Sequence, residues 1–176
     1  VNKYSNCIYL VLHFPTFSKK AGHVVDQEVD FVIGKDFVIT SHYEPINALT
    51  EFSKLFEINS TLDRGADMSH AGFLFYSLIE ELYRSLEAQL DTLNDSLRDI
   101  ERHIFSGRES QMVSVISSAN RTLVDFKQTI RFHNETLNSL EHACLGFFGQ
   151  EYQYQLSGMI GEYRKIQKTI EDHKEI

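Results

Sequence analysis

From Ser69 to Phe105 nonpolar side chains return every three or four residues, at Leu74, Leu78, Leu82, Leu86, Leu90, Leu93, Leu97, Ile100 and Ile104, with no proline between them. That period holds all of them on one face of an α-helix. The stripe predicts a single helix of roughly 36 residues, about 55 Å long. Ser106-Gly107 interrupts it, and a second stripe follows through Met112, Ile116, Ala119, Leu123, Phe126, Ile130, His133, Leu137, Leu140 and Cys144. Its strict four-three alternation is that of a coiled-coil seam. Two such helices joined by a short break predict an antiparallel hairpin. Gly146 and Gly149 mark another break, and a third helix is expected from near Glu151, with Leu156, Met159, Tyr163, Ile166 and Ile170 on one face.

The first 67 residues read differently. Cys7 to Phe14 is an apolar, β-branched run closed by Pro15, the pattern of a buried central strand. Two further runs, Glu28 to Ile33 and Phe37 to Ser41, flank Gly34-Lys35-Asp36, where a glycine permits the reversal of an antiparallel hairpin. Thr16 to Gly22 is expected to be a polar connection with Lys19-Lys20 at its tip. After Pro45, apolar residues at Ile46, Leu49, Phe52, Leu55 and Phe56 predict a short amphipathic helix, and Asn59 to Asp67 a polar loop. The expected fold class is therefore α/β (α+β): a small mixed β-sheet with flanking helices, then a long antiparallel helical hairpin and the beginning of a stalk helix. We read residues 1–176 as one domain, with the sheet in 1–67, the hairpin in 68–147 and the third helix in 148–176.

A chain of 176 residues is long enough to bury a core without staples. Its net charge of -8 would repel phosphate backbones, so no nucleic-acid partner is expected. It suits cationic partners, or cations themselves, as well as plain solubility. Cys7 and Cys144 are too few and too far apart for a disulfide framework or a zinc knuckle, which points to a reducing, cytosolic setting. No run approaches the ~20 apolar residues of a membrane helix, and no leader peptide is recognisable. The start at Val1, without an initiator Met, and the unterminated helical pattern up to Ile176 are expected to be cuts in something longer.

No Gly-x-Ser-x-Gly elbow, phosphate-cradling glycine loop or His-Glu-x-x-His helix is present, so no enzyme is expected. The eight histidines are dispersed, with no two at i, i+4 on one helix. His133, on the apolar seam, reads as a hydrogen-bonded core histidine, and both cysteines as small hydrophobes. The first long helix is rich in acid: Glu80, Glu81, Glu87, Asp91, Asp95, Asp99 and Glu101 against Arg84, Arg98 and Arg102. Asp91, Asp95 and Asp99 recur every four residues and share one exposed stripe, where they repel one another. A hard divalent cation such as Mg2+ would relieve that repulsion. A solvated helix face is the other reading.

Three stretches, Tyr9 to Pro15, Val29 to Thr40 and Phe75 to Leu82, together with Leu90-Asp91, Ile100-Glu101 and Ile104-Phe105, resemble the CorA family of magnesium and cobalt channels in order and spacing over nearly the whole chain. The resemblance implies an α/β/α cytosolic domain whose stalk, here Glu151 to Ile176, continues into the membrane as the pore-lining segment of a homopentamer. It implies a place at the cytoplasmic face of the cell membrane, with membrane contact only through helices that this sequence does not include. In the family, carboxylates between protomers bind Mg2+ and hold the channel shut. By alignment those places are filled by Ser5 and Asn6 and by Gly158, none of them a carboxylate, so Asp91, Asp95 and Asp99 are the residues carried forward as a regulatory Mg2+ (or Co2+) site. The Gly-Met-Asn pore motif is absent, and Gly158-Met159-Ile160 matches only its first two letters. The alternative is a free-standing helical module that binds partner helices and no ion.

Overall fold

The computed structural model describes residues 1–18, 21, 23–61, 70–105 and 109–174, without the side chains at 59–61, 100–105, 109–112 and 173–174. The expected loop at Asn59 to Asp67, the Lys19-Lys20 tip and the Ser106-Gly107 break fall wholly or mostly outside the described residues. Four strands, β1 (Asn2–Lys3), β2 (Ile8–Ser18), β3 (His23–Ile33) and β4 (Val38–His42), are followed by α1 (Asn47–Thr61), α2 (Ala71–Phe105), α3 (Glu109–Ile130), α4 (His133–Phe148), a 3-10 turn (Gln150–Tyr152) and α5 (Gln153–Lys174).

The sheet is antiparallel throughout, in the order β1-β2-β3-β4, rather than mixed. The connections are too short for anything else, because a parallel crossover takes about a dozen residues or more. At the β3–β4 turn the Gly34 N–H donates to Phe37 O at 2.8 Å, and a Cβ on Gly34 would run into the Phe37 ring.

Pro15 does not end β2. The strand runs on to Ser18, paired with β3 from Ile8↔Ile33 to Ser18↔His23. The reason lies in which edge the proline faces. His13 O accepts a hydrogen bond from the His133 ring at 2.8 Å, so His13, and with it the odd-numbered residues of β2, turn their backbone groups away from β3. Pro15 shares that parity, and a missing N–H on the outer edge removes no ladder bond.

One face of the hairpin is packed solid: Ile8, Leu10, Leu12 and Phe14 on β2, with Val29, Phe31 and Ile33 on β3. It meets the helices through Phe31 against Phe75 and Phe14 against Tyr83, both edge-on, at ring separations of 5.5 and 6.0 Å. These residues belong to one core with the seams of α2, α3, α4 and α5. Ion and ring pairs set the direction of each helix. Tyr152, in the turn that leads into α5, and Gly158 and Lys165 of α5 lie against Gly72, Tyr76 and Glu87 of α2, so the two run parallel. Tyr163 and Glu171 of α5 lie against His133 and Lys127, so α3 runs the other way and forms the expected hairpin with α2.

The start of α2 is tied down twice. Its Ala71 N–H donates to Lys35 O at 2.7 Å, and its Gly72 N–H donates to His70 Nδ1 at 3.1 Å. The His70 ring stacks on Phe148 at 4.5 Å, and partial burial pushes its pKa down. An imidazole kept neutral can go on accepting at Nδ1.

The second long seam is two helices, not one. A turn at Arg131-Phe132 separates α3 from α4. The four-three period survives the turn, since Ile130, His133, Leu137, Leu140 and Cys144 are all buried, because both halves face the same core. It fails toward the other end, where Ile116 is 40% exposed. Ile46, just before α1, and Leu49 within it are buried, but Leu55 and Phe56 are not.

Leu90, the last fully buried residue among the described side chains of α2, anchors the shaft. Leu90→Ala is expected to lower stability by about 3 kcal/mol in urea unfolding, whereas Val113→Ala, at a position 66% exposed, should stay within about 0.5 kcal/mol of wild type.

Candidate functional site

The outer face of α2 carries the acidic residues, and the structure sorts them into two groups. Upstream, the carboxylates have cationic partners. Arg84 reaches Glu81 at 2.7 Å and Glu80 at 3.7 Å, and Lys165 of α5 reaches Glu87 at 2.8 Å. The Glu87 bond raises the Lys165 pKa, with Glu162 and Asp91 adding to it. Glu87 thus serves as a cross-helix clasp between α2 and α5.

Downstream, Asp91, Asp95 and Asp99 are all exposed and follow one another along α2 beyond Leu90, as their spacing predicts. Arg98 approaches Asp95 only to 4.0 Å. Among the described residues no group of three or more His, Cys, Asp or Glu is gathered closely enough to hold a metal ion. Side chains one turn apart on a helix stand about 5–6 Å apart at Cβ, too wide for one cation to take inner-sphere bonds from all three. What the stripe presents is three exposed carboxylates in a row along one face of α2.

Ser5 and Asn6 lie exposed in the turn before β2. Gly158 lies on α5, where a Cβ would come within 2.9 Å of the Tyr76 ring. Its position is one of close approach between α5 and the Tyr76 side chain of α2.

Sequence reasoning missed a polar group on the sheet. Tyr9 donates to Asp30 at 2.5 Å, a bond that raises the tyrosine pKa, and the His13 ring lies 2.9 Å from Asp26 and 3.7 Å from Glu28. The register would have revealed it, since His13↔Glu28 are direct cross-strand neighbours. Ending β2 at Pro15 hid the stretch that contains Asp26. A cleft of about 500 Å3 between the end of β2, the start of α1 and α2 is lined by Phe14, Ile46, Leu82, Leu86 and Gln89 among others, with no titratable side chain. It can hold apolar matter but supplies no acid or base.

The described elements thus make a small antiparallel sheet joined to a long helical hairpin, with a further helix parallel to the first and acidic residues along the outer face of α2. The family model described as CorA-like Mg2+ transporter protein matches residues 1–176, and the chain belongs to that family. Curated relatives are the cobalt/magnesium transport proteins CorA of Methanocaldococcus jannaschii, 23% identical over 93% of this chain, and of Thermotoga maritima, 21% identical over 98%. The chain spans about half of each, 54% and 51% of their lengths. Among solved structures, the complete CorA magnesium transporter of M. jannaschii superposes with a TM-score of 0.84 at 19% identity, covering 99% of this chain and 54% of that one. The ZntB cytoplasmic domain of Vibrio parahaemolyticus superposes with 0.68 at 16% identity, covering 94% and 62%. Both show the same fold, and no helix of the described residues is long and apolar enough to cross a membrane.

Cys144 is fully buried, and burial pushes its thiol up to about 12. In a Cys7→Ser background at pH 8, Cys144 should stay unreactive to a thiol-specific disulfide reagent in the native protein and react within seconds once denatured. Reaction at the native rate of a free thiol would contradict the burial.

Proposed function

We propose that the chain is the cytosolic regulatory and assembly domain of a CorA-type divalent-cation channel, with Mg2+ the favoured ion and Co2+ a second. The observation that carries the reading is the match of one family along the whole chain together with a fold shared at a TM-score of 0.84. In this reading α5 is the stalk: it leads from the sheet side, parallel to α2, toward the cell membrane, where identical copies assemble as a pentamer around a pore. The buried seam that α5 shares with α2, with the Glu87–Lys165 pair on its exposed edge, makes hairpin and stalk move as one piece. Asp91, Asp95 and Asp99 form the regulatory rail, where cytosolic Mg2+ offsets mutual repulsion and favours the closed assembly. No chemical step is part of this function.

The reading expects two apolar spans, with Gly-Met-Asn between them, to be encoded beyond Ile176. The full-length protein reconstituted in liposomes around a Mg2+-sensitive dye should admit Mg2+ down its gradient. A gene with no spanning segment, or a reconstituted protein that passes no divalent ion, would overturn it. For the rail, ~10 mM Mg2+ should raise the melting temperature of the 176-residue chain by native-state binding, and the triple substitution Asp91→Asn, Asp95→Asn, Asp99→Asn should abolish the rise. An equal rise in the triple variant would remove the rail from the mechanism and leave the transport reading intact.

A further inference from the structure

His133 is the first residue of α4 and sits at the point where the long seam breaks. It is 2% exposed, and both ring nitrogens are engaged: Nε2 with His13 O of β2 at 2.8 Å and Nδ1 with the Tyr83 hydroxyl of α2 at 2.7 Å. A carbonyl can only accept, so Nε2 carries the proton and donates. Nδ1 is then the acceptor, and Tyr83, itself fully buried, donates its O–H. One neutral imidazole thus joins the sheet edge to α2. Its ring also lies 5.2 Å from Phe14 and 6.0 Å from Tyr163 of α5.

Asp26 of β3 and Arg131 line the cavity that His133 borders, but the groups in contact with the ring carry no counter-charge. From β2 comes the backbone of His13, whose own ring is turned to Asp26 and Glu28 of β3. From α2 comes the Tyr83 hydroxyl and from α5 the Tyr163 ring, while Arg131, on the turn, lies over Phe132 at 4.3 Å. Among the described residues no ion pair to His133 is formed. A second proton on the ring would reverse the Nδ1 bond. Tyr83 would have to accept, its O–H would lose its partner in an apolar pocket, and a full charge would stand among Phe14, Tyr83 and Tyr163.

We propose that the Tyr83–His133–His13 chain is a proton-operated tie, which holds the α3–α4 corner against β2 and α5 at neutral pH and releases it in acid. Burial sets the direction: it depresses the His133 pKa from 6.5 to about 4, against a smaller upward pull from the His13 carbonyl. Between those values the opened corner binds more protons than the closed one. The stabilisation from the tie is therefore complete above about pH 6.5 and is lost as pH falls toward 4. The tie does not depend on ion transport, so it stands or falls separately from the proposed function.

Hydrogen exchange on the 176-residue chain, corrected for the intrinsic pH dependence of exchange, tests it. From pH 7.5 to pH 5 the open population at the start of α4, the facing part of β2 and residues 163–170 should rise about thirty-fold, while the β3–β4 ladder keeps its protection. His133→Gln retains an N–H donor for His13 O and cannot titrate, so its exchange should be flat over that range. Should that variant fail to fold, the wild-type ring reports directly: nitrogen shifts must show the Nε2–H tautomer at pH 7 and a midpoint well below 6. A midpoint near 6.5, uniform loss of protection over the whole chain, or an equal acid response in His133→Gln would overturn the tie.

Discussion

The molecule depends on the middle of α2 burying itself on more than one side. A stripe at every third or fourth residue gives one contact face, enough for a coiled-coil partner. Residues 75–90 carry a second row beside it, Phe75, Ile79 and Tyr83, alongside Leu78, Leu82, Leu86 and Leu90. The combined arc is wide enough to receive the sheet on one flank and α3 and α5 on the other. Beyond Leu90 the second row stops. Leu93 and Leu97 continue the first row but are only half-buried, because the sheet has ended and one flank of α2 faces water.

That change along a single helix explains what could and could not be read beforehand. The period of the first stripe placed α2 within two residues at its start, and the α5 seam was legible for the same reason: period is a property of one helix and needs no partner. The break at Arg131-Phe132 was not legible, since a seam whose two halves face the same core keeps its phase through a turn. The second row of α2 was passed over because Phe75, Ile79 and Tyr83 look redundant until a sheet is there to meet them. Pro15 misled because its effect depends on which strand edge its nitrogen faces, and that parity is set by pairing, not by composition.

The site divides along the same line. The exposed stripe of Asp91, Asp95 and Asp99 could be placed from spacing alone, because an acidic face opposite an apolar one requires only a helix. The clasp of Glu87 to Lys165 and the union of His133 with Tyr83 join residues 78 and 50 positions apart. Nothing local announces them. His133 was nonetheless recognisable as a polar residue on an apolar seam, a placement that is costly unless both nitrogens are satisfied.

The charges lie where they cost least. Near the sheet, where α2 is enclosed, Glu80, Glu81 and Glu87 are matched by Arg84 and Lys165. Where α2 emerges, Asp91, Asp95 and Asp99 follow at four-residue intervals with Arg98 near Asp95, a repulsion of about 0.2–0.5 kcal/mol for each neighbouring pair that water largely screens. An ion on that rail would therefore act on the emergent part of the hairpin, whose apolar contacts are thinnest and whose position is most easily biased. A proton on His133 would act about two turns back along α2, at Tyr83, where the helices are fastened to the sheet. Leu86 and Leu90 lie between the two, fully packed, so each influence meets a rigid shaft and not the other site.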